Sequence, residues 1–80
     1  DSLIEEETLR YDREIEKLLS VVEESDVPFI MVTNELGLGV VPPTVLGRAM
    51  RDIGGRVNQR LARAANEVYL CVSGIPVKIK

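Results

Sequence analysis

Apolar residues return on one helical face at Ile4, Tyr11, Ile15, Leu18 and Val22, with Leu19 alongside. Glu5, Glu6, Glu7, Asp12, Arg13, Glu14, Glu16 and Lys17 fill the positions between. This pattern predicts an amphipathic helix from about residue 6 to residue 24. Its acids crowd the first half, where the macrodipole favours negative charge. Arg10, Arg13 and Lys17 stand three or four residues from Glu6, Glu14 or Glu16, close enough to pair along the helix surface. Ser25, Asp26 and then Pro28 mark its end.

The pattern changes at residues 27–33, a run of Val, Pro, Phe, Ile, Met, Val and Thr with no alternation. Such a run predicts a strand covered on both faces, as in the centre of a parallel sheet, with Pro28 tolerated at its start. Two helices from a chain of this length cannot readily cover both faces, so the strand implies that other structure is needed. A glycine-bearing loop follows at 34–43, and Thr44 offers an N-cap. The next helical stripe is Leu46, Met50, Ile53, Val57, Leu61 and Ala64, with Val45 and Ala49 beside it. Gly54 and Gly55 inside that stripe imply either a close backbone contact or a break. Residues 67–72 read as a second buried strand, completing a strand-helix-strand unit with a right-handed crossover. Ser73 and Gly74 turn the chain into 75–80, where Val77 and Ile79 alternate with Lys78 and Lys80. That is a half-exposed strand with charged edge protection. The expected fold class is α/β, in the order helix-strand-helix-strand-strand, ending in an antiparallel hairpin.

Composition sharpens this in a few places. Eighty residues allow one small domain, and 45% hydrophobic with 29% charged residues separates the chain from a disordered tail. Its own core is marginal, because a chain so short removes only about 60–65% of its unfolded surface from water. The single Cys71 excludes an internal disulfide. The absence of histidine excludes a histidine-centred triad and the commonest general base and zinc ligand. No apolar run is long enough for a membrane span, and the acidic start on Asp1 is neither a signal peptide nor an initiating methionine. The last point suggests a trimmed or partly represented product. Net charge is −3, yet residues 1–40 carry eleven acids and three bases while residues 41–80 carry two acids and seven bases. An acidic helix neutralised by a basic one accounts for this, and a basic patch for phosphate is the sharper alternative. With three aromatic residues there is no stacking platform for a single-stranded nucleic acid.

Candidate chemistry gathers where the first predicted strand ends. In open α/β sheets, ligands bind beyond the carboxyl ends of the strands. Thr33, Asn34 and Glu35 lie at such an end, followed by Gly37 and Gly39. An amide and a carboxylate there can orient a hydroxyl, a water or a metal-bound phosphate. Equally, Asn34 can tie the loop backbone while Glu35 faces solvent or an arginine. The loop is no P-loop, since no Lys-Ser or Lys-Thr follows, and it lacks the third glycine of a dinucleotide fingerprint. Arg56, Arg60 and Arg63 share a face that suits phosphate, a facing acidic helix or a subunit boundary. Cys71, mid-strand in an apolar run, reads as a small core residue rather than a nucleophile.

Three ordered blocks carry a resemblance: 32–42 (VTNELGLGVVP), 51–59 (RDIGGRVNQ) and 72–80 (VSGIPVKIK). Together they resemble the carboxyl-terminal half of the bifunctional adenosylcobinamide kinase/adenosylcobinamide-phosphate guanylyltransferase family of cobalamin biosynthesis. The resemblance covers residues 27–80 well, and the first helix is compatible with it. It implies that residues 1–80 are the carboxyl-terminal segment of one P-loop, RecA-like NTPase domain. It further implies a cytoplasmic, often trimeric transferase. That enzyme phosphorylates adenosylcobinamide and then passes GMP from GTP to the product through a guanylylated histidine, giving adenosylcobinamide-GDP. The partners implied are the amino-terminal half and the two substrates, with GTP, ATP and Mg2+ used by the parent and none bound by this segment alone. The family's P-loop, histidine and metal-binding acid lie upstream, so no catalytic or metal-ligating residue is carried over. Thr33, Asn34, Glu35, Gly37 and Gly39 match the cleft-facing strand end and are expected to position substrate or nucleotide. Arg56 and Arg60 are expected at a phosphate or a subunit contact. The alternative is a non-catalytic assembly module that binds a partner through the basic helix and the edge hairpin. A P-loop and a histidine encoded just upstream favour the enzyme, and a genuine start codon at this point favours the module.

Overall fold

A computed structural model describes residues 2–35 and 41–80. Helix α1 spans Ser2–Glu24 and helix α2 spans Val45–Ala64. Strands β1 (Tyr69–Val72) and β2 (Ile75–Lys78) form an antiparallel pair. Both helices and the hairpin were legible in the amphipathic pattern, although α1 begins four residues earlier than its stripe suggested.

The seam between the helices is narrow. Ile53 and Leu61 of α2 are the buried apolar residues among those described, at 7% and 8% exposure, with Val57 half-buried between them. Across from them α1 half-buries Ile4, Tyr11, Ile15, Leu19 and Val22. Leu19 follows Ile15 by four positions and keeps to the seam, which rotates Leu18 outward to 39% exposure. The expected stripe of α2 is covered only in its middle, since Leu46, Met50 and Ala64 stay exposed. Charge adds a clamp beside the seam. Arg56 donates to the Asp12 carboxylate at 2.9 Å, and Arg60 donates to the Asp12 carbonyl at 3.2 Å and lies 3.5 Å from Glu16.

Local chemistry sets the ends of α2. Thr44 is the N-cap, its hydroxyl accepting from the Gly47 amide at 2.9 Å. A Cβ added at Gly47 would lie 2.8 Å from both the Pro42 Cβ and the Thr44 hydroxyl oxygen. Glycine is therefore required there by close approach. Gly47→Ala is expected to destabilise the helix despite a propensity gain of up to ~1 kcal/mol. A raised melting midpoint in far-ultraviolet circular dichroism would contradict that. At the other end, the Lys80 ammonium donates to the carbonyls of Ala62, Arg63 and Ala65 at 2.9, 3.1 and 2.6 Å. It meets the negative end of the helix dipole and ties the end of the hairpin back to α2. The helix runs unbroken through Gly54 and Gly55, and nothing lies within 4 Å of a Cβ built on Gly55. The break does not occur, and at Gly55 no close contact takes its place.

The hairpin turns through Ser73 and Gly74 at φ 52° and 76°, the positive pair that a two-residue loop needs to match strand twist. Val72 pairs with Ile75 and Cys71 with Pro76. In this alternation the Cys71–Pro76 pair is the non-hydrogen-bonded kind, so the missing proline N–H faces away from β1. Cys71 is exposed, which corrects the expectation of a core residue: β2 lies beside β1, and that face of the pair is uncovered.

The main departure is residues 27–33. They form no strand, and among the described residues β1 pairs with β2 alone, so the strand-helix-strand unit is not closed. Ile30 and Val32 are 94% and 90% exposed, with Val27 and Phe29 also open. A strand exists only where a neighbour completes its ladder, and among the described residues none lies beside this one. The molecule is a slab of 40 × 32 × 14 Å, barely thicker than one helix with its side chains. Its radius of gyration, 14.3 Å, exceeds the roughly 12 Å of a compact chain of this length. It exposes 6555 Å², against about 4800 Å² for a compact monomer of its mass. A stable domain needs two packed layers, and one is present.

Candidate functional site

Thr33, Asn34 and Glu35 end the apolar run, and all three are exposed. A bond from another element reaches the middle one. The side-chain amide of Asn58, on the flank of α2, donates to the Asn34 main-chain carbonyl at 3.0 Å. Gly37 and Gly39 lie outside the described residues.

Arg56 and Arg60 take another direction. Each is two positions from Asn58, so each leaves α2 on roughly the opposite side, about 200° around the helix. They turn toward α1, to Asp12 and Glu16. The strand-end trio and the arginine pair, both singled out by spacing, are therefore not brought together. A shallow, open depression of about 370 Å³ lies along α2, lined by Arg51, Asp52, Gly55, Arg56 and Gln59. Inside it Arg51 already donates to the Asp52 carboxylate at 3.0 and 3.2 Å. On α1 a hydrogen bond to Glu7, with the Glu7 charge, raises the Arg10 pKa above its ordinary value, so that cation stays charged throughout.

Asn58 and Lys80 were missed in the sequence because their roles are single contacts across the fold, which leave no periodic trace. Among the described residues, no three of His, Cys, Asp and Glu converge to hold a metal, and no helix is long and apolar enough to cross a membrane.

Residues 1–79 match the model of the cobinamide kinase / cobinamide phosphate guanyltransferase family. The chain belongs to that family. The family's curated relatives include two proteins named bifunctional adenosylcobalamin biosynthesis protein CobU. The Escherichia coli one is 55% identical over 67 residues, covering 84% of this chain and 37% of that protein. The Salmonella typhimurium one is 55% identical over 69 residues, 86% of this chain and 38% of that protein. The Pseudomonas aeruginosa protein named CobP is 39% identical over 71 residues, 89% of this chain and 41% of its own length. The chain thus spans well under half the length of the family members it matches, and corresponds to their carboxyl-terminal portion.

Proposed function

We propose that this chain is the carboxyl-terminal part of an enzyme that phosphorylates adenosylcobinamide and then transfers GMP from GTP to the phosphate, giving adenosylcobinamide-GDP. The observation that carries the reading is the family match over residues 1–79, joined to 55% identity with relatives more than twice as long. In the whole protein the sheet belongs to a P-loop, RecA-like domain, with residues 27–33 as an inner strand and the hairpin at the rim. The excess exposed area, roughly 1700 Å² on this chain alone, is about twice the ~800 Å² that each partner of a standard interface buries, which supports the amino-terminal portion as an extensive covering layer. The enzyme works in the cytoplasm as a homo-oligomer, a trimer by family resemblance.

The division of labour follows from what the chain lacks. With no histidine and no phosphate-binding Gly-Lys-Ser/Thr, it supplies neither the guanylylated nucleophile nor the phosphate cradle. Those belong to the amino-terminal portion, as do the main contacts to ATP, GTP and Mg2+. This segment contributes orientation. At the strand end the Glu35 carboxylate accepts a hydrogen bond from a substrate hydroxyl or an ordered water, and the Asn34 amide holds a neighbouring oxygen. In the kinase step that hydroxyl gives its proton to water as its oxygen bonds the γ-phosphorus, and the bond to the nucleoside diphosphate breaks with its electron pair on the departing oxygen.

The test uses an enzyme joined from the amino-terminal portion of the Escherichia coli relative and this chain. Glu35→Gln keeps the shape and removes the charge. It is expected to lower kcat of at least one of the two reactions by about 10²-fold, leaving the melting midpoint in place. Unchanged rates in both reactions would reject this role for Glu35.

A further inference from the structure

We infer that Asn58 is a positioning residue for the strand-end site, acting by setting the peptide plane that joins Asn34 to Glu35. This rests on the reading of Asn34 and Glu35 given above, and it adds a residue that faces neither substrate nor nucleotide.

The geometry is specific. Asn58 donates to the main-chain oxygen of Asn34, not to its side chain. That oxygen lies in the rigid plane that also contains the Glu35 amide and both α-carbons. Holding the oxygen at 3.0 Å therefore limits rotation about the bonds flanking the plane, ψ of Asn34 and φ of Glu35. Those two angles set the directions in which the two side chains leave the backbone. The donor stands on a continuous helix, pinned at its start by the Thr44 cap and at its end by Lys80. The acceptor belongs to a segment with no strand pairing. A stiff element thus steadies a less constrained one, at the junction where two functional side chains diverge. Asparagine suits this position because its amide offers donors on a short, two-torsion side chain. Aspartate has the same shape but presents an oxygen to the carbonyl, converting attraction to repulsion.

The experiment uses the joined enzyme and measures kcat and KM for both reactions, with the melting midpoint alongside. Asn58→Asp is expected to lower kcat about tenfold or more with little change in KM. Asn58→Ala, which leaves the carbonyl to water, is expected to lower kcat less than Asn58→Asp does. The decisive readout is a double-mutant cycle. In the Glu35→Gln background the Asn58→Asp loss should shrink to about twofold or less, because the carboxylate it positions is gone. Where Glu35→Gln itself lowers kcat, equal losses in both backgrounds would overturn the inference, as would wild-type kcat for both Asn58 variants or unfolding of both. The two readings separate cleanly. A loss with Glu35→Gln but none with Asn58→Asp removes Asn58 alone. The reverse removes the role of Glu35 and leaves Asn58 acting through Asn34.

Discussion

Ile30→Asp is expected to abolish stable assembly of the joined enzyme while leaving the isolated chain's circular dichroism unchanged. The contrast follows from where the side chain lies in each. In the isolated chain Ile30 is 94% exposed, so an aspartate there meets water and nothing is lost. On the proposed reading, residues 27–33 of the joined enzyme take up the place of an inner strand, whose side chains are covered on both faces. A carboxylate buried in such a place without a partner costs roughly 3–5 kcal/mol. That is a large share of the ~5–15 kcal/mol by which a domain is stable. The measurement is soluble yield and melting midpoint for both forms. An equal, small effect in each would mean that the run stays at the surface.

Leu61→Ala is expected to separate the two helices. Leu61 and Ile53 are the buried apolar side chains of the described seam, and no second layer shares the load. Truncating a buried leucine costs about 2–5 kcal/mol, from lost transfer energy and the cavity left behind. The Asp12–Arg56 and Glu16–Arg60 pairs cannot hold the helices in its place, because pairs this exposed contribute about 1 kcal/mol or less. Loss of helical signal at lower denaturant concentration checks this. Leu19→Ala should cost more than Leu18→Ala, since Leu19 lies on the seam and Leu18 beside it. The reverse order would restore the stripe read from spacing alone.

These two substitutions mark what could and could not be read in the sequence. The helices were legible because each carries its own evidence: a period in both, charged pairs three residues apart on α1 and a threonine cap on α2. The hairpin was legible for the same reason, since Ser73 and Gly74 fix its turn locally. Residues 27–33 show the limit of local evidence. Their apolar run reads as a strand wanting cover on both faces, but a ladder needs a neighbour, and none of the described residues supplies one. Candidate chemistry divides the same way. Thr33, Asn34 and Glu35 could be singled out by residue type at a predicted strand end. That Asn58 would hold the Asn34 carbonyl, across 24 residues of chain, could not. The turn of Arg56 and Arg60 toward α1 was legible as a basic helix face meeting an acidic one, but not the choice of Asp12 and Glu16 as partners.

The most direct test is the activity of the joined enzyme against that of the chain alone. Purified separately, this chain should release neither nucleoside diphosphate from the kinase reaction nor pyrophosphate from the guanylyl transfer. Placed behind the amino-terminal portion of the Escherichia coli relative, it should restore both products, with adenosylcobinamide-GDP accumulating. A well-folded joined protein that forms neither product would contradict its assignment as the carboxyl-terminal part of this enzyme.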